Sequence, residues 1–156
     1  MVRPEEAKVL KGMKEAKTAE EMVKSWSAQR GDPNPTSKSK APFMDLYVRR
    51  KPEMISSYAH NQIMQVVERG ILDPKTRYLV ILGCYMMNEH WHGLLPQSCN
   101  AKAAGATEEE IMEVAFLACY AAGKSKNVNT CEALSEVFES ALFKSVAPSR
   151  DLVPVD

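Results

Sequence analysis

The stretch Ala101-Lys-Ala-Ala-Gly-Ala-Thr-Glu-Glu-Glu-Ile111 constrains the fold of this chain more than any other. A run of small helix formers ends at Gly105, the residue type best suited to the left-handed backbone that closes a helix. Thr107 then stands three positions before Glu110, the spacing of a capping box. In that motif the hydroxyl accepts the backbone N–H of the acid, and the acid accepts the N–H of the hydroxyl residue. Ile111 opens an apolar run immediately afterwards. One helix stops and another starts within a single short turn.

The rest of the chain repeats that grammar, and strand signals are almost absent. Pro4-Glu5-Glu6 sets proline and acids where a helix begins. Thr18-Ala-Glu-Glu21 is a further capping box, which divides residues 4–30 into two helices, the second with Ala19, Met22, Val23 and Trp26 on one face. Gly31 to Lys40 is rich in breakers and reads as a long surface loop. A short helix follows over 43–50, and Lys51-Pro52-Glu53 starts another whose apolar face is Ile55, Ala59, Ile63, Val66 and Val67, ending at Gly70. His60 falls on its polar side and reads as a surface residue.

Asp73-Pro74 is a strong start signal, an N-cap followed by proline at the first helical position. From Tyr78 that helix is apolar on every side, which places it in a core or a subunit interface. The next helix runs from Trp91 or Leu95 to Ala104, with Gly93-Leu-Leu-Pro96 as an irregular join. The helix from Ile111 to Gly123 is again apolar nearly all round, and its alanines allow close packing. A last helix over 127–145 carries Cys131, Leu134, Phe138, Ala141 and Leu142 on one stripe, and the tail after Pro148 is extended. The fold class is all-α, divided as an N-terminal helical arm and loop (1–40), a main helical domain (41–147) and an extended tail (148–156).

Composition narrows the function. Twenty basic and twenty acidic residues balance, with no long block of like charge, so an electrostatic nucleic-acid surface is not expected. The longest apolar run, Tyr78 to Met87, is about half of a membrane span, and no membrane partner is expected. Met1 to Glu6 lacks an apolar signal segment, and Cys84, Cys99, Cys119 and Cys131 form no C-x-x-C pair. Reduced thiols and a cytoplasmic location follow as expectations.

Chemistry concentrates in Asn88-Glu-His-Trp-His-Gly93. Glu89, His90 and His92 bring a carboxylate and two imidazoles into one short segment. An imidazole exchanges protons near neutral pH, and a carboxylate can fix its tautomer. Trp91 offers a flat apolar wall for a ring-shaped substrate, and Tyr78, Tyr85 or Gln97 could supply a hydrogen-bond donor. Three readings stay open at this point: proton transfer, a metal pair at His90 and His92 completed by Glu89 or Cys99, and histidines that simply bond backbone at a helix start. Lys75 and Arg77 are either carboxylate ligands or solvated first-turn charges.

The order of motifs resembles the carboxymuconolactone decarboxylase and alkylhydroperoxidase D-like superfamily. The residues that carry the resemblance are Lys51-Pro-Glu-Met54, Asp73-Pro-Lys-Thr-Arg77 opening an apolar helix, Ala103 to Ile111, and Glu113-Val-Ala-Phe-Leu-Ala-Cys-Tyr-Ala-Ala-Gly123, within residues 43–145. The resemblance implies an alkylhydroperoxidase D-like helical bundle assembled as a homo-oligomer, a trimer or hexamer, with a small-molecule site near subunit contacts.

Two chemistries are implied by that superfamily. The peroxidase type has a glutamate and then C-x-x-C-x-x-x-His just before the glycine restart, with a thiolate attacking peroxide and a second cysteine resolving it. The decarboxylase type lacks the cysteine pair, keeps the histidine and releases a substrate carboxylate as carbon dioxide. Counted back from Gly105 without gaps, the histidine position falls on Gln97, the cysteine positions on His90 and Gly93, and the glutamate near Tyr78. All four peroxidase residues are therefore absent at the matched positions. A short insertion at Gly93–Pro96 would bring His92 toward the histidine position.

The preferred expectation is a cofactor-independent acid/base enzyme acting on a small cyclic or carboxylated metabolite. His92, His90 and Glu89 are its catalytic candidates, and Tyr78, Trp91, Gln97, Cys84 and Cys99 line its substrate. A thiol-dependent hydroperoxidase and a non-catalytic small-ligand binder are the alternatives. No resident cofactor is expected, with a metal at His90 and His92 as the one exception held open.

Overall fold

The computed structural model describes residues 4–18, 21, 50, 51, 53, 54, 57, 71–123 and 127–148, and every structural statement below concerns these. All regular structure among them is helical, so the chain is all-α as expected. The chain divides into two compact units, one of residues 1–71 with 151–156 and one of residues 72–150.

In the first unit, α1 spans Pro4–Glu15 with Leu10 and Met13 buried. Its proline and acids stand where the sequence placed a start. After it, the Thr18 hydroxyl accepts the Glu21 N–H at 3.2 Å, and the Glu21 carboxylate accepts the Lys17 N–H at 2.8 Å. The Thr18 hydroxyl thus makes the capping bond expected of it, while the Glu21 carboxylate reaches one residue further back than a capping box would. The face at Ala19, Met22, Val23 and Trp26, the loop at 31–40, the helix over 43–49, the apolar face at 55–67 with His60, Gly70 and the tail after Pro148 lie outside the described residues.

The second unit holds α2 (Pro74–Met87), α3 (Trp91–Ala103), α4 (Glu108–Ala122), α5 (Asn127–Glu139) and the short α6 (Ala141–Ser145). Helix α2 packs along both α3 and α4, while α3 also meets α5 and α6. Their shared core is Tyr78, Leu82 and Met86 from α2, Leu94 and Ala101 from α3, Ile111, Ala115 and Ala118 from α4, and Leu134, Val137 and Phe143 from the last two helices. Ala106 completes it from the α3–α4 turn.

Local signals explain most of the boundaries. Asp73 caps α2: its Oδ1 accepts the Thr76 N–H at 3.0 Å and its Oδ2 the Thr76 hydroxyl at 2.5 Å. Gly105 has φ +92°, a left-handed conformation that a side chain would resist. The capping box at α4 is complete, with Glu110 N–H to Thr107 Oγ1 at 3.1 Å and Thr107 N–H to Glu110 Oε2 at 2.9 Å. Lys75 reaches Glu110 at 2.5 Å and so ties the first turn of α2 to the first turn of α4.

Three expectations need correction. The stretch Gly93–Pro96 is not an irregular join but continuous helix inside α3. Pro96 lacks an N–H, so it removes only the bond that the His92 carbonyl would have accepted, and the helix runs on. The helix expected over 127–145 breaks at Ser140, whose hydroxyl accepts the Phe143 N–H at 3.2 Å and donates to the Val137 carbonyl at 2.7 Å. The stripe inferred for that region also shifts: Leu134 is buried, but its buried companions are Thr130, Val137 and Phe143, while Cys131 and Leu142 are exposed.

Neither over-apolar helix is wholly buried within the chain. Val80 and Met87 of α2 are exposed, as are Met112, Phe116, Leu117 and Tyr120 of α4. No helix among the described residues is long and apolar enough to cross a membrane.

Candidate functional site

The turn that joins α2 to α3 gathers the chemistry-bearing residues, and its backbone dictates how they stand. Met87 is the last helical residue of α2 and Asn88 its C-cap. Beyond it, the Glu89 N–H donates to the Met86 carbonyl at 3.2 Å and the His90 N–H to the Tyr85 carbonyl at 2.9 Å. That pair of bonds is a Schellman closure, which asks for a left-handed residue at the first position past the cap. Glycine normally supplies it. Here Glu89 does, at φ +55°, the one non-glycine residue with positive φ among those described. A side chain in this region costs on the order of 1 kcal/mol.

The same closure brings its flanking side chains together. The Tyr85 and His90 rings meet edge to face with centroids 4.8 Å apart, a favourable aromatic geometry. His90 is also the N-cap of α3, but its side chain makes no capping bond to the first turn. That turn carries no acidic residue either. Backbone carbonyls take up the Trp91 N–H (Glu89, 3.0 Å) and the Gly93 N–H (His90, 3.0 Å) instead, and His90 and His92 both stand exposed at this end of the helix. Trp91 is half-buried between them in sequence and packs on the core together with Leu95 and Cys99. One and two helical turns separate these three, so they form one stripe along α3.

The remaining expected site residues are placed as follows. Tyr78 is buried in the core, under the Arg77 guanidinium at 5.5 Å from its ring centre. It lies roughly 14 Å of helical rise from the α3 end of α2. Gln97 is half-buried and accepts a 3.4 Å bond from Asn100. Cys84 is exposed in the last turn of α2, Cys99 is half-buried, and neither is in a disulfide. Asn88, next to Glu89 in the chain, donates its side-chain amide to the Cys84 carbonyl at 2.8 Å. Lys75 is engaged by Glu110 and Arg77 is buried. Neither is a freely solvated first-turn charge.

Among the described residues, no group of three or more His, Cys, Asp and Glu side chains is arranged to hold a metal ion. The donor pair at His90 and His92 thus has no third donor of those types gathered around it.

Two residues that sequence reasoning did not assign to the site belong to its geometry. Tyr85 was considered only as a hydrogen-bond donor, yet its ring is what touches His90. Gly93 was read as part of a break, yet it is a buried helical residue beneath those rings. The Schellman spacing itself was the available signal, since it pairs the residue two past the cap with the residue three before it. A glutamate where glycine is usual concealed it.

Comparison with known proteins supplies one match. The sequence model of the Carboxymuconolactone decarboxylase family matches residues 58–136, about half of the chain, from before α2 to within α5. No curated protein and no solved structure matches the chain.

Proposed function

The chain belongs to the carboxymuconolactone decarboxylase family, and on that footing we propose that it is a cofactor-independent enzyme of acid/base chemistry. Its substrate in this reading is a small cyclic or carboxylated metabolite. The observation that carries the proposal is the start of α3: two exposed imidazoles at a helix end whose first turn holds no acid. The helix dipole favours an anion there. An imidazolium beside that anion can deliver a proton to it.

The reaction balances with those groups alone. The bond between the substrate carboxylate and the adjacent carbon breaks, carbon dioxide leaves, and the bonding pair becomes an enolate. His92 or His90, entering as imidazolium, protonates that carbon and recovers its proton from water. Trp91 offers its ring to the apolar side of the substrate.

The test is carbon dioxide release from a panel of small unsaturated lactone acids and 3-oxo acids. Replacing both His90 and His92 by Ala should lower turnover on the order of 10²-fold or more. Full turnover in the double variant ends this reading. Loss in Cys84→Ser with retention in the double histidine variant would transfer the chemistry to a thiol.

We also propose a homo-oligomer, supported by the apolar face of α4. Tyr120 is 82% and Phe116 66% exposed, with Leu117 and Met112 beside them. Such a patch on one helix is large for a monomer surface. Sedimentation should find a trimer or hexamer, and Phe116→Glu with Tyr120→Glu should reduce it to monomers.

A further inference from the structure

Gly93 poses a question that its backbone does not answer. It sits in the first turn of α3 with ordinary helical geometry, since only Glu89, Gly105 and Gly123 have positive φ among the described residues. Glycine in a helix costs on the order of 1 kcal/mol relative to alanine. Conformational freedom is therefore not its use here, and space is. A Cβ at position 93 would run into the Tyr85 ring edge and stand 2.6 Å from His90 Cδ2. The two side chains that would collide with it are the two that touch each other.

We infer that Gly93 and Tyr85 are positioning residues for the His90 imidazole, an inference that rests on reading His90 as a proton-transfer group. The bare α-carbon of Gly93 lets the Tyr85 ring lie across the start of α3. His90 then closes on that ring, drawn in by the Schellman bond between its own N–H and the Tyr85 carbonyl. An exposed histidine would otherwise sample several rotamers. This one is exposed to substrate yet braced on its inner side by a ring and a helix. Proton transfer gains from that arrangement, because a displacement of about 1 Å at a reacting group can cost roughly 10²-fold in rate.

Three variants of the full-length protein test this, each read by NMR of the histidine ring protons and by turnover. In the parent protein, His90 ring protons should show contacts to the Tyr85 ring and a ring-current displacement that His92 does not share. Gly93→Ala should abolish both, although alanine favours helix. Tyr85→Leu should do the same without any new atom at position 93, so a folding defect in the first variant leaves the second to decide. Tyr85→Phe keeps the ring and should preserve the contact. In turnover, Gly93→Ala and Tyr85→Leu should lower kcat tenfold or more with KM little changed, and Tyr85→Phe should restore it. An unchanged His90–Tyr85 contact in Gly93→Ala overturns the inference, as does parental kcat in Tyr85→Leu while the double histidine variant is dead. Turnover surviving in the double histidine variant, with the ring contacts responding as described, sinks the acid/base reading alone and leaves the bracing of His90 intact.

Discussion

The starts of α3 and α4 belong to the same compact unit and follow opposite rules. At α4 every local preference is met: threonine caps, Glu110 returns the bond, three acids fill the first turn and Lys75 pairs with the last of them. At α3 the cap is a histidine with no capping bond, the preceding residue is a glutamate in glycine's conformation, and Gly93 and Pro96 lie inside the helix. Sequences tend to keep local and global preferences consistent, and to break them where a site demands it. The contrast divides the unit into an end made by its local preferences and an end that departs from them and exposes two histidines.

The largest effect that could break this division is at Ile111, which is fully buried one turn into α4. Ile111→Ala should cost about 2–5 kcal/mol in urea unfolding, through lost burial and the cavity left behind. The paired replacement of exposed His90 and His92 by Ala should change stability by only about 0.5 kcal/mol. If the histidine pair costs as much as Ile111, the α3 start is structural and the contrast fails. Next in size, Thr107→Ala removes one capping bond and should cost about 1 kcal/mol. A midpoint shift with unchanged urea dependence would show that the loss is in stability and not in cooperativity.

What the sequence made legible follows the same division. Asp73, Gly105 and the Thr107–Glu110 pair were readable because a cap is made with neighbours three or four residues away. Ser140 was not, because a serine among apolar residues can sit in a helix as easily as end one. The shift from Cys131 to Thr130 and Val137 on the buried side of α5 depends on how that helix is rotated against α3 and α4, which periodicity alone does not fix. At the site, the histidine segment stood out by composition. Its geometry did not, since glutamate is a poor candidate for a left-handed turn and Gly93 looked like a breaker when it is a space. Legibility fell where a residue was serving a contact across the turn and not its own backbone.

Glu89 sharpens the comparison from the other side. Glu89→Gly places the usual residue in the left-handed position and should raise stability by roughly 0.5–1 kcal/mol, even after glycine's extra freedom in the unfolded chain. A gain in thermal midpoint together with lost turnover would mark a carboxylate kept against the preference of its backbone. A loss of stability would mean that contacts of the Glu89 side chain outweigh the strain, and α3 would then start on a structural residue after all.

The smallest expected effect concerns the well-made end, and acid is the way to reach it. The Lys75 ammonium, followed by the Thr107 N–H, holds the Glu110 carboxyl below its ordinary value of 4.5. The Thr76 hydroxyl likewise holds Asp73 below 3.8. A carboxyl depressed on folding contributes stability that is complete above its unfolded value and is lost as pH falls through its folded one. The parent protein should therefore hold a constant contribution from these groups above about pH 4.5 and lose it progressively below. Lys75 and Glu110 keep 36% and 35% of their side-chain surfaces in water, so solvent screens their attraction. Lys75→Met should accordingly cost only about 0–1 kcal/mol at pH 7. Asp73 is present in both proteins, so the difference between their acid limbs isolates the share of Glu110 that depends on Lys75. The two thermal midpoints should converge as pH falls below 4.5, and at high salt they should already be close at pH 7. Parallel curves at every pH would mean that Lys75 supports α2 and α4 through its hydrocarbon stem, and that the cap at Thr107 needs no ion pair to hold.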